Sequence, residues 1–236
     1  GYVTFENGFS NSGNMTLTGQ ILSNGSISNS ATGIITLGSS DQSVQIGGSG
    51  LWTNDGSITM SGSNISATIT SSGGVINNAD GTIAVNGSND SLTIYGGSYT
   101  GSVSVAGGTL TLNGAQLSGA MQAGNDGNLV ISNSDIGSGA SFTGSGNGAM
   151  EWNGNVSLNT DLELGAGAPA LTLNGEDVAF VLKGSDDQIR HALTTRNQVT
   201  LLGNVQLDPF ASWINYGTVN LQEAMLTLMT QASFTN

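Results

Sequence analysis

Apolar residues recur along the chain in short bursts, each alternating with polar or small residues and bracketed by Gly, Asn, Asp or Ser. The commonest burst reads Gly, any residue, apolar, polar or small, apolar. It stands at Gly13-Asn14-Met15-Thr16-Leu17, Gly33-Ile34-Ile35-Thr36-Leu37, Gly56-Ser57-Ile58-Thr59-Met60 and Gly81-Thr82-Ile83-Ala84-Val85. It recurs at Gly101, Gly108, Gly127 and Gly148, keeps its phase at Pro169 and Asn197, and closes at Gly217. Taking Gly108 rather than Gly101 in the middle, the steps are 20, 23, 25, 27, 19, 21, 21, 28 and 20 residues. Shorter alternations such as Val44/Ile46, Leu92/Ile94, Val156/Leu158 and Leu162/Leu164 fill the gaps. Each apolar-x-apolar triplet is a period-two signal, one side chain in and the next out. Each is also too short for an ordinary strand, and Asn54-Asp55-Gly56, Ala79-Asp80-Gly81 and Asn125-Asp126-Gly127 mark tight corners between them.

A unit of about 20 residues holding two or three short strands cannot bury its inner face alone. Stacked units can, at the ~4.8 Å spacing of neighbouring strands. The pattern therefore predicts an all-β fold: a single-stranded, right-handed parallel β-helix of about ten coils, the hand being the default for crossover connections. Aliphatic residues point inward, and Asn and Thr at matching points of successive coils form hydrogen-bonded ladders. The alternative is an antiparallel sandwich, which would carry longer strands and more aromatics. Solenoid repeats are expected over residues 1–182, and a cap or assembly segment over residues 183–236.

The segments Asn77–Gly87 (NNADGTIAVNG) and Asn54–Ser63 (NDGSITMSGS) resemble the β-helical passenger regions of bacterial autotransporters and two-partner secretion adhesins. The resemblance implies secretion, surface display and often adhesion. It implies no site residues.

Composition narrows the function. Charged residues are 8% of the chain, and 16 acidic against 3 basic residues leave a net charge of −13. Nucleic-acid binding needs a basic face, so that class is excluded, as is attraction to anionic membranes. No apolar run approaches the ~20 residues that cross a bilayer. There is no cysteine, so no disulfide and no Cys-ligated metal. Low charge with abundant Ser, Thr and Asn points to an extracellular or cell-surface location. The start at Gly1 suggests a mature form or an excised fragment.

The segment after residue 182 differs. Lys183, Arg190, His191 and Arg196 are the only basic residues and the only histidine. Ser185-Asp186-Asp187-Gln188 has capping-box spacing, and Ile189, Ala192 and Leu193 then share a helical face. A short helix near 186–195 is expected. Asp186 and Asp187 with Arg190, His191 and Arg196 form the only cluster of acid and base types, and paired carboxylates serve polysaccharide hydrolysis. Adjacent aspartates at a helix start more often act as caps, so no catalytic role is assigned. Gly47-Gly48-Ser49-Gly50-Leu51-Trp52 begins like a calcium-binding repeat but carries Trp52 where Asp is needed. The Thr-x-Thr pairs Thr16/Thr18, Thr68/Thr70 and Thr109/Thr111 are too sparse for an ice-binding array. Trp52, Trp152 and Trp213 are read as core or end-cap residues rather than sugar platforms. Six Asn-x-Ser/Thr acceptors, from Asn14 to Asn155, matter only where a host glycosylates.

The sequence thus predicts no enzyme, no cofactor and no metal site. It predicts a structural surface rod whose copies associate through their ends. The second expectation is an adhesin for glycans or neighbouring cells; a polysaccharide lyase or hydrolase is third.

Overall fold

A computed structural model describes residues 2–183 and 191–236. The chain is a β-solenoid of eleven coils. Every strand pairing is parallel, and no helix occurs among the described residues. Each coil has three faces. In the third coil these are Ser43–Gly48, Trp52–Asn54 and Ser57–Met60; in the fourth they are Ser66–Ser71, Val75–Asn77 and Thr82–Val85. The strands are short because a Gly, Asn or Asp corner follows within a few residues, as the alternation required.

From the seventh coil the first two faces fuse into one bent strand. These are Asn128–Ile136, Ala149–Leu158, Ala170–Lys183, Val199–Leu207 and Val219–Leu228. Asn133 (φ 50°), Gly154 (φ 62°), Gly203 (φ 61°) and Glu223 (φ 48°) stand at the bend in four of them. A left-handed residue there reverses the local twist without breaking the strand.

The core is a set of inward columns. On the first face Val44, Ala67, Leu92, Leu110, Leu129 and Met150 stack in register, all at 2% exposure or less. On the third face Ile35, Ile58, Ile83, Val103 and Met121 do the same. Each buried Val, Leu, Ile or Met side chain among them contributes about 1.5–3 kcal/mol by burial.

The recurrent glycine motif proves to mark two different corners. Gly13, Gly33, Gly56, Gly81 and Gly101 open third-face strands, whereas Gly108, Gly127, Gly148 and Gly217 precede first-face strands. The step of 27 residues from Gly81 to Gly108 therefore spans one coil, ending at Gly101, and then passes on to the next face. Gly33, Gly56, Gly81 and Gly101 have a steric cause in the coil below. A methyl on Gly81 would overlap the Asn54 carbonyl oxygen and lie 2.6 Å from Asn77 Oδ1.

Parallel stacking continues beyond residue 182. Leu162–Leu164, His191–Thr195, Ala211–Asn215 and Ser233–Thr235 form one sheet on the third face. Of the helix expected near 186–195, residues 186–190 lie outside the described residues, and His191–Thr195 is a strand. The strand prevails because Leu193 and Thr195 fall inward over Leu162 and Leu164, while His191, Ala192 and Thr194 are half-buried.

Candidate functional site

Asp186, Asp187 and Arg190 lie outside the described residues. His191 and Arg196 meet carboxylates one coil below. His191 Nδ1 lies 3.6 Å from Asp161 Oδ1, which also accepts the Ala192 N–H at 2.8 Å. Arg196 Nε–H donates to Glu163 Oε1, and its guanidinium sits 4.9 Å from the centre of the Tyr216 ring. The bond from Glu163, then its charge, raises the Arg196 pKa. Asp161 and Glu163 were not singled out from sequence. Their signal was the alternation Asp161-Leu162-Glu163-Leu164, which turns both acids outward on one strand. The exposed Arg196–Glu163 contact pairs opposite charges, and together these contacts order a corner.

Five further acids share one arrangement. An Asn of the following coil donates its side-chain N–H to each: Asn24 to Glu6 (2.8 Å), Asn64 to Asp41 (3.0 Å), Asn78 to Asp55 (2.6 Å), Asn147 to Asp126 (3.1 Å) and Asn174 to Glu151 (2.7 Å). Following each acid by an amide keeps the next carboxylate away from a neighbour only one strand spacing distant.

The residues weighed as binding groups fall elsewhere. Trp52, Trp152 and Trp213 are core residues at 1%, 0% and 0% exposure, unable to stack on a sugar. Thr68/Thr70 and Thr109/Thr111 lie on the first face, separated by the coil carrying Thr93 and Tyr95; Thr16 lies on the third face. The glycosylation acceptors Asn14, Asn24, Asn64, Asn86, Asn89 and Asn155 are all exposed.

The bend between the first and second faces carries a polar hollow. Val130 and Ser132 point outward, alternating with inward Leu129 and Ile131, yet are only 9% and 8% exposed. Outward residues become buried only where the surface is concave. The hollow is about 280 Å³ and is lined by Asn113, Ser132, Asn133, Glu151, Asn153 and Asn174, with Gly154 at its edge. Tyr95, Asn113, Ser132, Asn153 and Asn174 are consecutive register partners, so they form a rank running along the solenoid. Asn133 Nδ2–H donates to Asn113 Oδ1 at 3.3 Å, and Asn153 Oδ1 is buried with no hydrogen-bond partner among the described residues. Tyr95 is 46% exposed at the end of this rank. Sequence alone did not expose the rank, because its members are 18 to 21 residues apart and align only once the coils are in register.

The two terminal coils differ. In the first, Phe5 and Phe9 pack ring to ring at 4.7 Å and are half-buried. In the eleventh, Leu221 and Leu228 occupy the columns of Leu201 and Leu207 but are 64% and 47% exposed. No protein-family model, curated protein or solved structure matches the chain.

Proposed function

We propose that this protein is a non-enzymatic, extracellular structural rod whose copies associate end to end. The observation that carries the reading is the unbroken inward column: one apolar core passes through all eleven coils with parallel hydrogen bonding between layers. At ~4.8 Å per coil the stack is about 50 Å long. Each layer is pinned by its neighbours on both sides, which suits a spacer or a coat. The carboxylates support the same reading, since those engaged by Asn stitch coils together. Low charge, absence of cysteine and resemblance to surface β-helices favour the extracellular setting.

The eleventh coil supports end-to-end association. Leu221 and Leu228 point along columns that are sealed one layer below, so this layer is an apolar seat for a further coil. In this reading the first coil of another copy, with Val3, Phe5 and Phe9, occupies it, a head-to-tail contact that propagates as a filament. Sedimentation velocity across a concentration series, with negative-stain microscopy, tests it. Oligomers growing with concentration, and their loss in the Leu221→Asp/Leu228→Asp variant with an unchanged circular dichroism spectrum, are expected. Isolated particles at the highest concentration would refute the filament.

A further inference from the structure

We infer that the concave bend between the first and second faces binds a linear, neutral polysaccharide laid along the solenoid axis. Three observations converge there. The first is shape: a hollow of about 280 Å³ is lined by the consecutive register partners Asn113, Ser132, Asn153 and Asn174, and Tyr95 stands next to Asn113 on the same rank. Four strand spacings, about 19 Å, separate its ends. Equal steps of polar side chains match a polymer of equal units better than a compact small molecule.

The second is hydrogen-bonding capacity. Amides both donate and accept, as sugar hydroxyls do. Asn153 Oδ1 is buried without a partner, and a buried acceptor left unmade costs about 1–3 kcal/mol. A ligand hydroxyl reaching into the hollow supplies the missing donor. Glu151, held by Asn174 through one oxygen at 2.7 Å, keeps its other oxygen for a second hydroxyl.

The third is the aromatic ring. Tyr95 is the exposed aromatic on this rank and directly neighbours Asn113. An exposed ring presents an apolar face to the C–H face of a pyranose while its hydroxyl stays wet. Charge sets the ligand class. Glu151 within the hollow and a net charge of −13 repel uronates, sulfates and phosphates, leaving neutral sugars. This inference does not depend on end-to-end association, because the bend lies on the side of the stack.

Calorimetric titration of the full chain tests it with hexasaccharides of β-1,4-linked glucose, mannose, xylose and N-acetylglucosamine, and with hexagalacturonate as the charged probe. At least one neutral hexamer is expected to bind, with hexagalacturonate weaker. Tyr95→Ala should weaken that binding about fivefold to tenfold, as loss of one ring contact does. Glu151→Gln should also weaken it, whereas Tyr216→Ala, an exposed tyrosine on another side of the stack, should leave it unchanged. Side-chain amide resonances of Asn113, Asn153 and Asn174 should shift on addition of the neutral hexamer. No heat with any neutral hexamer, binding unmoved by both Tyr95→Ala and Glu151→Gln, or tighter binding of hexagalacturonate would each overturn the inference.

Discussion

Asn54 donates its side-chain N–H to Asn77 Oδ1 across 2.7 Å, and both residues are wholly buried. Asn29 donates to Asn54 Oδ1 at 2.8 Å, and Asn11 to Asn29 Oδ1 at 2.8 Å, so four amides form one ladder at the corner after the second face. Each rung also reaches main-chain carbonyls, as Asn54 does at Thr82 O (3.1 Å). The ladder thus links the second face of one coil to the third face of the next. Asn54→Leu removes a donor and an acceptor at once and strands Asn77 Oδ1 without its donor. A loss of about 3 kcal/mol is expected in urea unfolding, with Asn14→Ala, at an exposed position, within about 0.5 kcal/mol of wild type.

The same corner sets a steric prediction. Gly81 lies against the Asn54 carbonyl and Asn77 Oδ1, so Gly81→Ala forces backbone or ladder to move. Gly13 occupies the equivalent place in the first coil, where a methyl would meet nothing within 4 Å. Gly81→Ala should lower stability by about 2–4 kcal/mol, while Gly13→Ala should be neutral or slightly stabilising. Thermal unfolding of the two variants side by side checks this. Equal effects would mean that the glycine is kept for chain flexibility rather than for contact between coils.

Much of this architecture was legible before any coordinates. Alternating pairs such as Ile58/Met60 and Ile83/Val85 gave inward columns, and Asp-Gly corners gave the coil. The face assignment was not legible, because Gly-x-apolar-x-apolar opens third-face strands at Gly81 and first-face strands at Gly108. Local pattern encodes a corner and not which corner. Second-face strands such as Ser98–Tyr99 and Gln116–Leu117 are two residues long and carry no periodicity. The buried ladder had a quieter signal: apolar-x-Asn at Phe9-Ser10-Asn11, Ile27-Ser28-Asn29, Trp52-Thr53-Asn54 and Val75-Ile76-Asn77, each before a motif glycine. His191–Thr195 shows tertiary context overriding a capping-box pattern, since pairing with Leu162–Leu164 and Ala211–Asn215 supplies what an isolated helical turn lacks. The bend hollow depends on how coils align and has no local signature.

The ladder column ends at Tyr99, the register partner of Asn77, and this gives an alkaline prediction. Tyr99 is wholly buried, its hydroxyl donates to Gly96 O at 3.1 Å, and burial raises its pKa well above the ordinary tyrosine value of 10.0. The folded state therefore keeps a proton that the unfolded chain releases above that value. Stability from this residue is fully present below pH 10.0 and falls as pH rises toward the folded pKa. Denaturation midpoints should decline above that pH in wild type and decline less steeply in Tyr99→Phe. Absorbance at alkaline pH should show one tyrosine ionising only on unfolding, and early ionisation of all four would contradict the buried position.

The pairing of acids with amides of the next coil predicts what a second acid would do. Asn78 Nδ2–H donates to Asp55 Oδ1 at 2.6 Å. In Asn78→Asp two carboxylates face each other one strand spacing apart, with no proton to share at neutral pH. Like charges directly opposite on neighbouring strands destabilise, here by about 1 kcal/mol at low ionic strength. The loss should shrink in about 1 M salt, where the screening length is ~3 Å. It should vanish as pH falls below ~4, where one carboxylate takes up a proton and donates it to the other. Asp55→Asn, which makes an amide–amide rung instead, should show neither salt nor pH dependence of this kind. Urea midpoints of the three proteins at low and high salt, at neutral pH and at pH ~4, decide it. If Asn78→Asp is as stable as wild type at low salt, the amides are not there to separate charge, and the recurrence of Asn after each acid requires another cause.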